Sequence, residues 1–457
     1  MFIAIKDQYK FLYNQAITIL RVTDRFLKKH ETVLFWFLGI LYKFVLDLLY
    51  VKVASPLYNY AGLEYDPSFL KYIISAILYL VLFACIPKKE HSCASVLLHI
   101  QFAYIIAPML SFYALSGASS KYMLMVFVCA ILEALIIRRN SGRTKPVYLK
   151  GMKNYATVLI GIMAVVALTV PILYNGFAGL KAFDFDYIYE MRKNATYPPG
   201  FTYLFFWMGK AIIPFSVILL IEKKKYWWAL IAAAIQILLY MECGNKYLLF
   251  ILVPVLAVYV LAKSKHLIKL VYLGLSALFL VLLVAHRLDT DGGHALGTQT
   301  SFYIAVRAIF HPADNKFVLY ECFSQLPKLF FSDGLIGKML GFTNLYSGAY
   351  GQIIHAYNGG IYLDANMNTG YLAESYAQMG FPGMLLMSGL FSFILCCIES
   401  YNNKKTFCLI TAVFAMYIID LCDISLLTTL LSSGMIIVIL MMAVYFNKER
   451  DHFIHGV

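Results

Sequence analysis

The sequence predicts an all-α membrane protein that crosses the bilayer many times. Three observations carry this. Of the 457 residues, 61% are hydrophobic and only 14% are charged, too little polar surface to cover the core of a soluble chain. Apolar runs near bilayer length recur from end to end, and the mean hydropathy is +0.72. Backbone groups in lipid must bond within their own segment, which runs of this length achieve as helices.

Taken in order, the runs give about twelve spans. They are Val33–Val53, Phe69–Ile86, Ala94–Leu115, Tyr122–Ile137, Tyr155–Leu173, Phe201–Ile221, Tyr226–Met241, Tyr247–Leu261, Leu267–Ala285, Met384–Ile398, Thr406–Ile419 and Leu426–Phe446. Residues 1–30 mix six Lys and Arg with apolar side chains and show no secretory signal. They read as a basic amphipathic helix on the cytoplasmic leaflet. Every loop on that side is basic: Lys88-Lys89, Arg138 to Lys153, Lys223-Lys224-Lys225, Lys263 to His266 and Lys404-Lys405. The opposite loops carry Glu64, Asp66, Asp420 and Asp423. This asymmetry predicts that both termini are cytoplasmic.

The net charge of +13 is therefore a topology signal rather than a nucleic-acid footprint. The cysteines show no zinc or disulfide spacing, and Cys396-Cys397 reads as lipid-facing filler. The pair Lys43 and Asp47, spaced i, i+4, reads as self-neutralising, and Glu133 as lying within reach of Arg138.

Two outward segments interrupt this pattern, 175–200 and 287–383. The second is too long to be a structureless connection, which points to a functional segment with its own fold. Within it Ser301–Phe310 and Lys316–Phe331 read as amphipathic helices at the outer surface, divided by His311-Pro312. Of the nine arginines, Arg192, Arg287 and Arg307 lie on the outer side, where the charge rule disfavours them. Guanidinium suits bidentate binding of phosphate oxygens, and Lys246 and Lys210 add positive charge to the same side. Lys210 lies deep in its span, with Pro214 expected to kink the helix one turn later. The competing reading pairs the arginines with Asp184, Glu190 or Asp289, or places them at headgroups.

His355, Asp364 and Glu374 gather near the end of the long segment, and His311 follows Arg307 by one turn. Histidine and carboxylate can take a proton from an attacking hydroxyl, which makes His355, Glu374 and His311 the candidate bases. His294 lies in the same segment. Tyr350, Tyr357, Tyr362 and Tyr371 offer faces for stacking on sugar rings, the bland alternative being an interfacial belt. Asp184-Phe-Asp186 and Asp289-Thr-Asp291 match a spacing common by chance, so neither metal nor cofactor is expected.

The run Asn368-Thr-Gly370-Tyr-Leu-Ala-Glu374-Ser-Tyr376-Ala-Gln-Met-Gly380-Phe-Pro-Gly383 leads straight into an apolar span. With the two outer segments and the turn Gly244-Asn-Lys246, it resembles the bacterial O-antigen and capsular polysaccharide repeat-unit polymerases (Wzy-type). The resemblance implies a GT-C-like fold of about twelve spans with two large outer loops. Arg192 and Arg307 stand where the family's loop arginines are expected. It implies a metal-independent glycosyltransferase of lipopolysaccharide or capsule synthesis in the bacterial inner membrane. The substrate would be an undecaprenyl-pyrophosphate-linked oligosaccharide, and chain-length control would need a partner protein. An O-antigen ligase shares the layout, and a lipid-linked oligosaccharide flippase is the alternative from another class.

Overall fold

The apolar runs fold as helices, and no described residue lies in a strand. The computed structural model describes residues 14–15, 17–18, 22–23, 31–289, 296–334, 337, 339–346, 348–359 and 366–446. The expected N-terminal amphipathic segment therefore lies largely outside the described residues, as do His294, Asp364 and Tyr362.

In chain order the helices are α1 Glu31–Tyr58, α2 Phe69–Cys85, α3 Cys93–Leu115, α4 Ser120–Asn140, α5 Lys153–Asn175, α6 Phe185–Asn194, α7 Phe201–Glu222, α8 Tyr226–Cys243, α9 Lys246–Leu261 and α10 Leu267–Leu288. The helix α11 runs from 296 to 325. It is followed by α12 Tyr350–Tyr357, α13 Gly370–Glu399, α14 Phe407–Asp420 and α15 Leu426–Tyr445. Among the described residues nine of these are long and apolar enough to cross a membrane, and α2, α9 and α14 are shorter apolar helices. The chain is a polytopic, all-helical membrane protein.

Contacts divide it into two units. The first comprises Met1–Ser141, Ser264–Cys396 and Ile418–Leu426, and the second Gly142–Lys263, Cys397–Tyr417 and Leu427–Val457.

A recurrent device shapes the helices. Four π-helical stretches, Tyr50–Ala54, Phe102–Ile106, Trp207–Ile212 and Phe302–Phe310, each end two residues before a proline: Pro56, Pro108, Pro214 and Pro312. Proline has no N–H, and its ring collides with the carbonyl one turn back. Widening the preceding turn moves that carbonyl away, so the helix continues. The last N–H before each proline bonds five residues back: Ala107 to Phe102 and Ile213 to Met208. The next carbonyl would then need the missing proline N–H. Before Pro108 and Pro214 a side chain supplies the donor instead. The Tyr42 hydroxyl bonds Ala103 O at 2.6 Å, and Gln236 Nε2 bonds Gly209 O at 3.0 Å.

This corrects one expectation: His311-Pro312 does not divide the outer helices, while at Pro214 the proline follows a wide turn. α11 runs continuously from Leu296–Ser301 through Phe302–Phe310 into His311–Gln325. α11 has one buried face, with Ala305, Val306, Phe317, Leu319 and Phe323, and one exposed face, with Tyr303, Arg307 and Glu321.

In the first unit, aromatic packing of Phe35, Phe83, Phe102 and Tyr272 sets the core. Gly39 lies against the Phe83 ring, so α1 and α2 approach closely. Lys43 bonds Asp47 at 2.6 Å, as the spacing predicts, and Ser111 at 3.1 Å. Glu133 does not reach toward Arg138. It takes hydrogen bonds from Gln101 at 2.8 Å and from the Tyr371 hydroxyl at 2.8 Å. A buried carboxylate needs donors, and neighbouring helices supply them where water cannot. Cys396 is buried rather than lipid-facing.

Candidate functional site

The Asn368 to Gly383 run is built around two glycines. Gly370 has φ +72°, and its Cα side rests on the carbonyls of Leu421 and Cys422, where a Cβ would collide. Gly380 has φ 67° and ψ −151°, a conformation open only to glycine, and it breaks α13. With Pro382 lacking an N–H, the carbonyls of Ala377 and Gln378 lose their helical donors. The segment after α11 replaces them: Leu329 N bonds Ala377 O and Phe330 N bonds Gln378 O, both at 3.0 Å. Phe330 and Phe331 adopt φ 49° and 61° to do so, an uncommon and costly choice for phenylalanine.

This docking brings carboxylates together. Gln378 accepts from Phe331 N at 2.5 Å and donates to Glu374 Oε1 at 3.1 Å and to Asp333 Oδ1 at 3.0 Å. One amide thus bridges a buried and a half-buried carboxylate. Tyr350 stands nearby: burial, then Glu374 and Asp333, push its phenol well above the ordinary tyrosine range. Lys328 sits 3.8 Å from the centre of the Tyr376 ring, which packs on Tyr320 and through it on Tyr122. Burial lowers the Lys328 ammonium to about 8. Asp333, Gln378 and Lys328 were not among the residues chosen from sequence. The only local signal was the i, i+4 spacing of Glu374 and Gln378.

The other candidates in this unit fall differently. His355 is half-buried on α12, and its Nε2 has no hydrogen-bond partner. Tyr357 is exposed and accepts a bond from Gln325 at 3.2 Å. Tyr371 has zero exposure and its hydroxyl is held by Gln101 and Glu133, so it ties helices rather than facing a sugar. Arg287 is exposed in the last turn of α10.

Arg307 is exposed in the π-helical part of α11, and His311 follows one turn later against Tyr58. Burial first, then Arg307 and Lys316, lower the His311 imidazole to about 4. Asp314 is buried, and that burial together with Glu321 raises it to about 8. Lys316 is spent on structure, donating to Pro312 O at 2.7 Å and Cys422 O at 2.8 Å.

In the second unit Arg192 ends α6, exposed, beside a cavity of about 160 Å³. Lys246 is exposed at the start of α9. Lys210 is buried, with Nζ 4.2 Å from the Tyr247 ring centre. Among the described residues no salt bridge joins Arg192, Arg287 or Arg307 to Asp184, Glu190 or Asp289.

Comparison with family models, curated proteins and solved structures gives no match. The residues offer exposed guanidinium groups for an anion, carboxylates and imidazoles for proton transfer, and aromatic faces for an amphipathic ring.

Proposed function

We propose that this chain is a glycosyltransferase that polymerises undecaprenyl-pyrophosphate-linked repeat units into O-antigen or capsular polysaccharide. It works at the outer face of the bacterial plasma membrane, with about twelve spans and both termini in the cytoplasm. The reading rests on one observation above the others. Arg192 and Arg307 are exposed, unpaired among the described residues, and carried on helices of the two polar segments between spans.

A hydroxyl of the incoming unit attacks the anomeric carbon of the growing chain. The new C–O bond forms as the bond to pyrophosphate breaks. The hydroxyl proton passes to a base, and the pyrophosphate leaves as an anion stabilised by guanidinium. Of the three bases chosen from sequence, His311 suits this least. At about 4 it lies far below the pH at which a general base works best. His355 and Glu374 remain.

The test is purified protein with lipid-linked repeat units and no metal, run on a gel. A ladder is expected from the wild type. Arg192→Ala and Arg307→Ala should each lower it at least about a hundredfold, the cost of losing a charged donor from a developing anion. Lysine should restore only part, because it lacks the planar fork. A ladder that survives both alanine variants overturns the reading. Glycan that stays on the inner leaflet in cells would indicate a flippase, and finished polymer held on its carrier would indicate a ligase.

A further inference from the structure

The segment between α11 and α12 has a depth in the bilayer, and α13 sets it. Between residues 380 and 398 that helix carries no charged side chain, and Glu399 follows. At 1.5 Å per residue the stretch spans about 30 Å, the thickness of a hydrocarbon core. The turns before it, residues 370 to 379, hold Glu374 and Gln378. Gly380 therefore stands at one edge of the hydrocarbon and Glu399 at the other.

The segment after α11 is bonded to that edge. Leu329 N and Phe330 N reach Ala377 O and Gln378 O, both at 3.0 Å. Phe330 N takes the carbonyl that Pro382 leaves without a donor, which brings Phe330 close to Pro382. Both are exposed, and so is Leu386, one turn further into the span.

The turn that follows is tied to the same place. Gly337 N bonds Phe331 O at 3.0 Å, Phe342 N bonds Gly337 O at 2.9 Å, and the Tyr346 hydroxyl bonds Pro327 O at 2.7 Å. Asn344 is spent on the turn itself, accepting from Tyr346 N at 3.0 Å and donating to Gly348 O at 3.1 Å. Met339, Leu340, Phe342 and Leu345 are left exposed on it. Four large apolar side chains on one ordered turn are costly in water. Irregular backbone is excluded from the hydrocarbon itself, so the position that suits such a turn is the interface, with its side chains dipping inward.

We infer that the turn 339–345 is a bilayer contact, with phospholipid as its partner: Met339, Leu340, Phe342 and Leu345 enter the acyl chains at the Gly380 edge. The segment is thus anchored in the membrane rather than carried clear of it. The anchor holds Asp333 and Gln378 at the membrane boundary.

The test places the fluorescent amino acid dansylalanine at position 340 of the full chain, in phosphatidylcholine nanodiscs. Position 386 serves as the lipid-facing control and position 64 as the polar one. Emission from 340 should be blue-shifted and quenched by lipids brominated near the headgroup end of the chain, as at 386, and iodide should leave it bright. Bromine at the chain end should quench it less. Leu345→Asp, with melting in detergent unchanged, should weaken the lipid quenching and admit iodide; if the labelled 340 chain does not fold, the label goes at 345 and the aspartate at 340. Quenching by iodide as at 64 overturns the contact. Shielding from both quenchers overturns it too, because a second copy or another part of the chain would then cover the turn. The measurement needs no glycan, so its outcome is independent of the proposed reaction.

Discussion

Gln236 offers a direct test of how this chain tolerates proline inside its spans. In the wide turn Trp207–Ile212, Ile213 N bonds Met208 O, and Gly209 O is left facing Pro214, which has no N–H. Gln236 Nε2 supplies that bond at 3.0 Å and a second to Leu248 O at 2.8 Å. Gln236→Leu removes both donors from buried carbonyls. An unsatisfied buried acceptor costs about 1–3 kcal/mol, and hydrogen bonds between membrane helices run lower, about 0.6–1.7 kcal/mol. A loss of about 1–3 kcal/mol is therefore expected for the pair. Pro214→Ala restores the N–H, so in that background Gln236→Leu should cost about 1 kcal/mol less. Reversible unfolding of all four proteins in mixed micelles measures the coupling. Equal costs in both backgrounds would refute the account, because Gln236 would then be packing filler rather than a substitute donor.

Three further outcomes are expected. In α13, Gly389→Ala should be neutral or stabilise by up to about 1 kcal/mol, since nothing lies within 4 Å of an added Cβ. Gly380→Ala should cost about 1–3 kcal/mol from backbone strain alone, because its nearest neighbour, Lys328 Cε, is 3.6 Å away. Gly370→Ala should cost more, strain being joined by collision with the 421 and 422 carbonyls; melting of the three variants must rank in that order. Tyr371→Phe should lose about 1–3 kcal/mol by leaving Glu133 short of a donor. Lost transfer with unchanged melting would instead make Tyr371 a substrate contact. Stability should also depend on pH through α11. His311 is lowered to about 4, so its contribution is complete above 6.5 and lost as pH falls through 4. Asp314 is raised to about 8, so its contribution is complete below 3.8 and lost as pH rises through 8. The two oppose one another below 6.5, and above it Asp314 acts alone. Stability should fall by about 1–2 kcal/mol between pH 6.5 and 8, and Asp314→Asn should flatten that decline in pH-scanned unfolding.

By itself the sequence determined the helical membrane class, the position of each apolar run and the two polar segments that carry Arg192 and Arg307. These follow from local sums of hydropathy and charge, which act on each segment whatever its neighbours do. The Lys43–Asp47 bond was legible for the same reason, its partners being one turn apart. Pro56, Pro108, Pro214 and Pro312 each follow a wide turn, but Pro171 does not, so only the structure showed where the helices widen and that they pass through unbroken. Tertiary structure alone decided that Glu133 bonds Gln101 and Tyr371 rather than reaching toward Arg138, and that Gln378 bridges Glu374 to Asp333. It also decided which face of α11 is buried and that Glu242 Oε2 is left without a hydrogen-bond partner. Each of these depends on which buried donor meets which buried acceptor across helices far apart in sequence. Where no water can stand in for a missing partner, packing settles that choice and local pattern cannot.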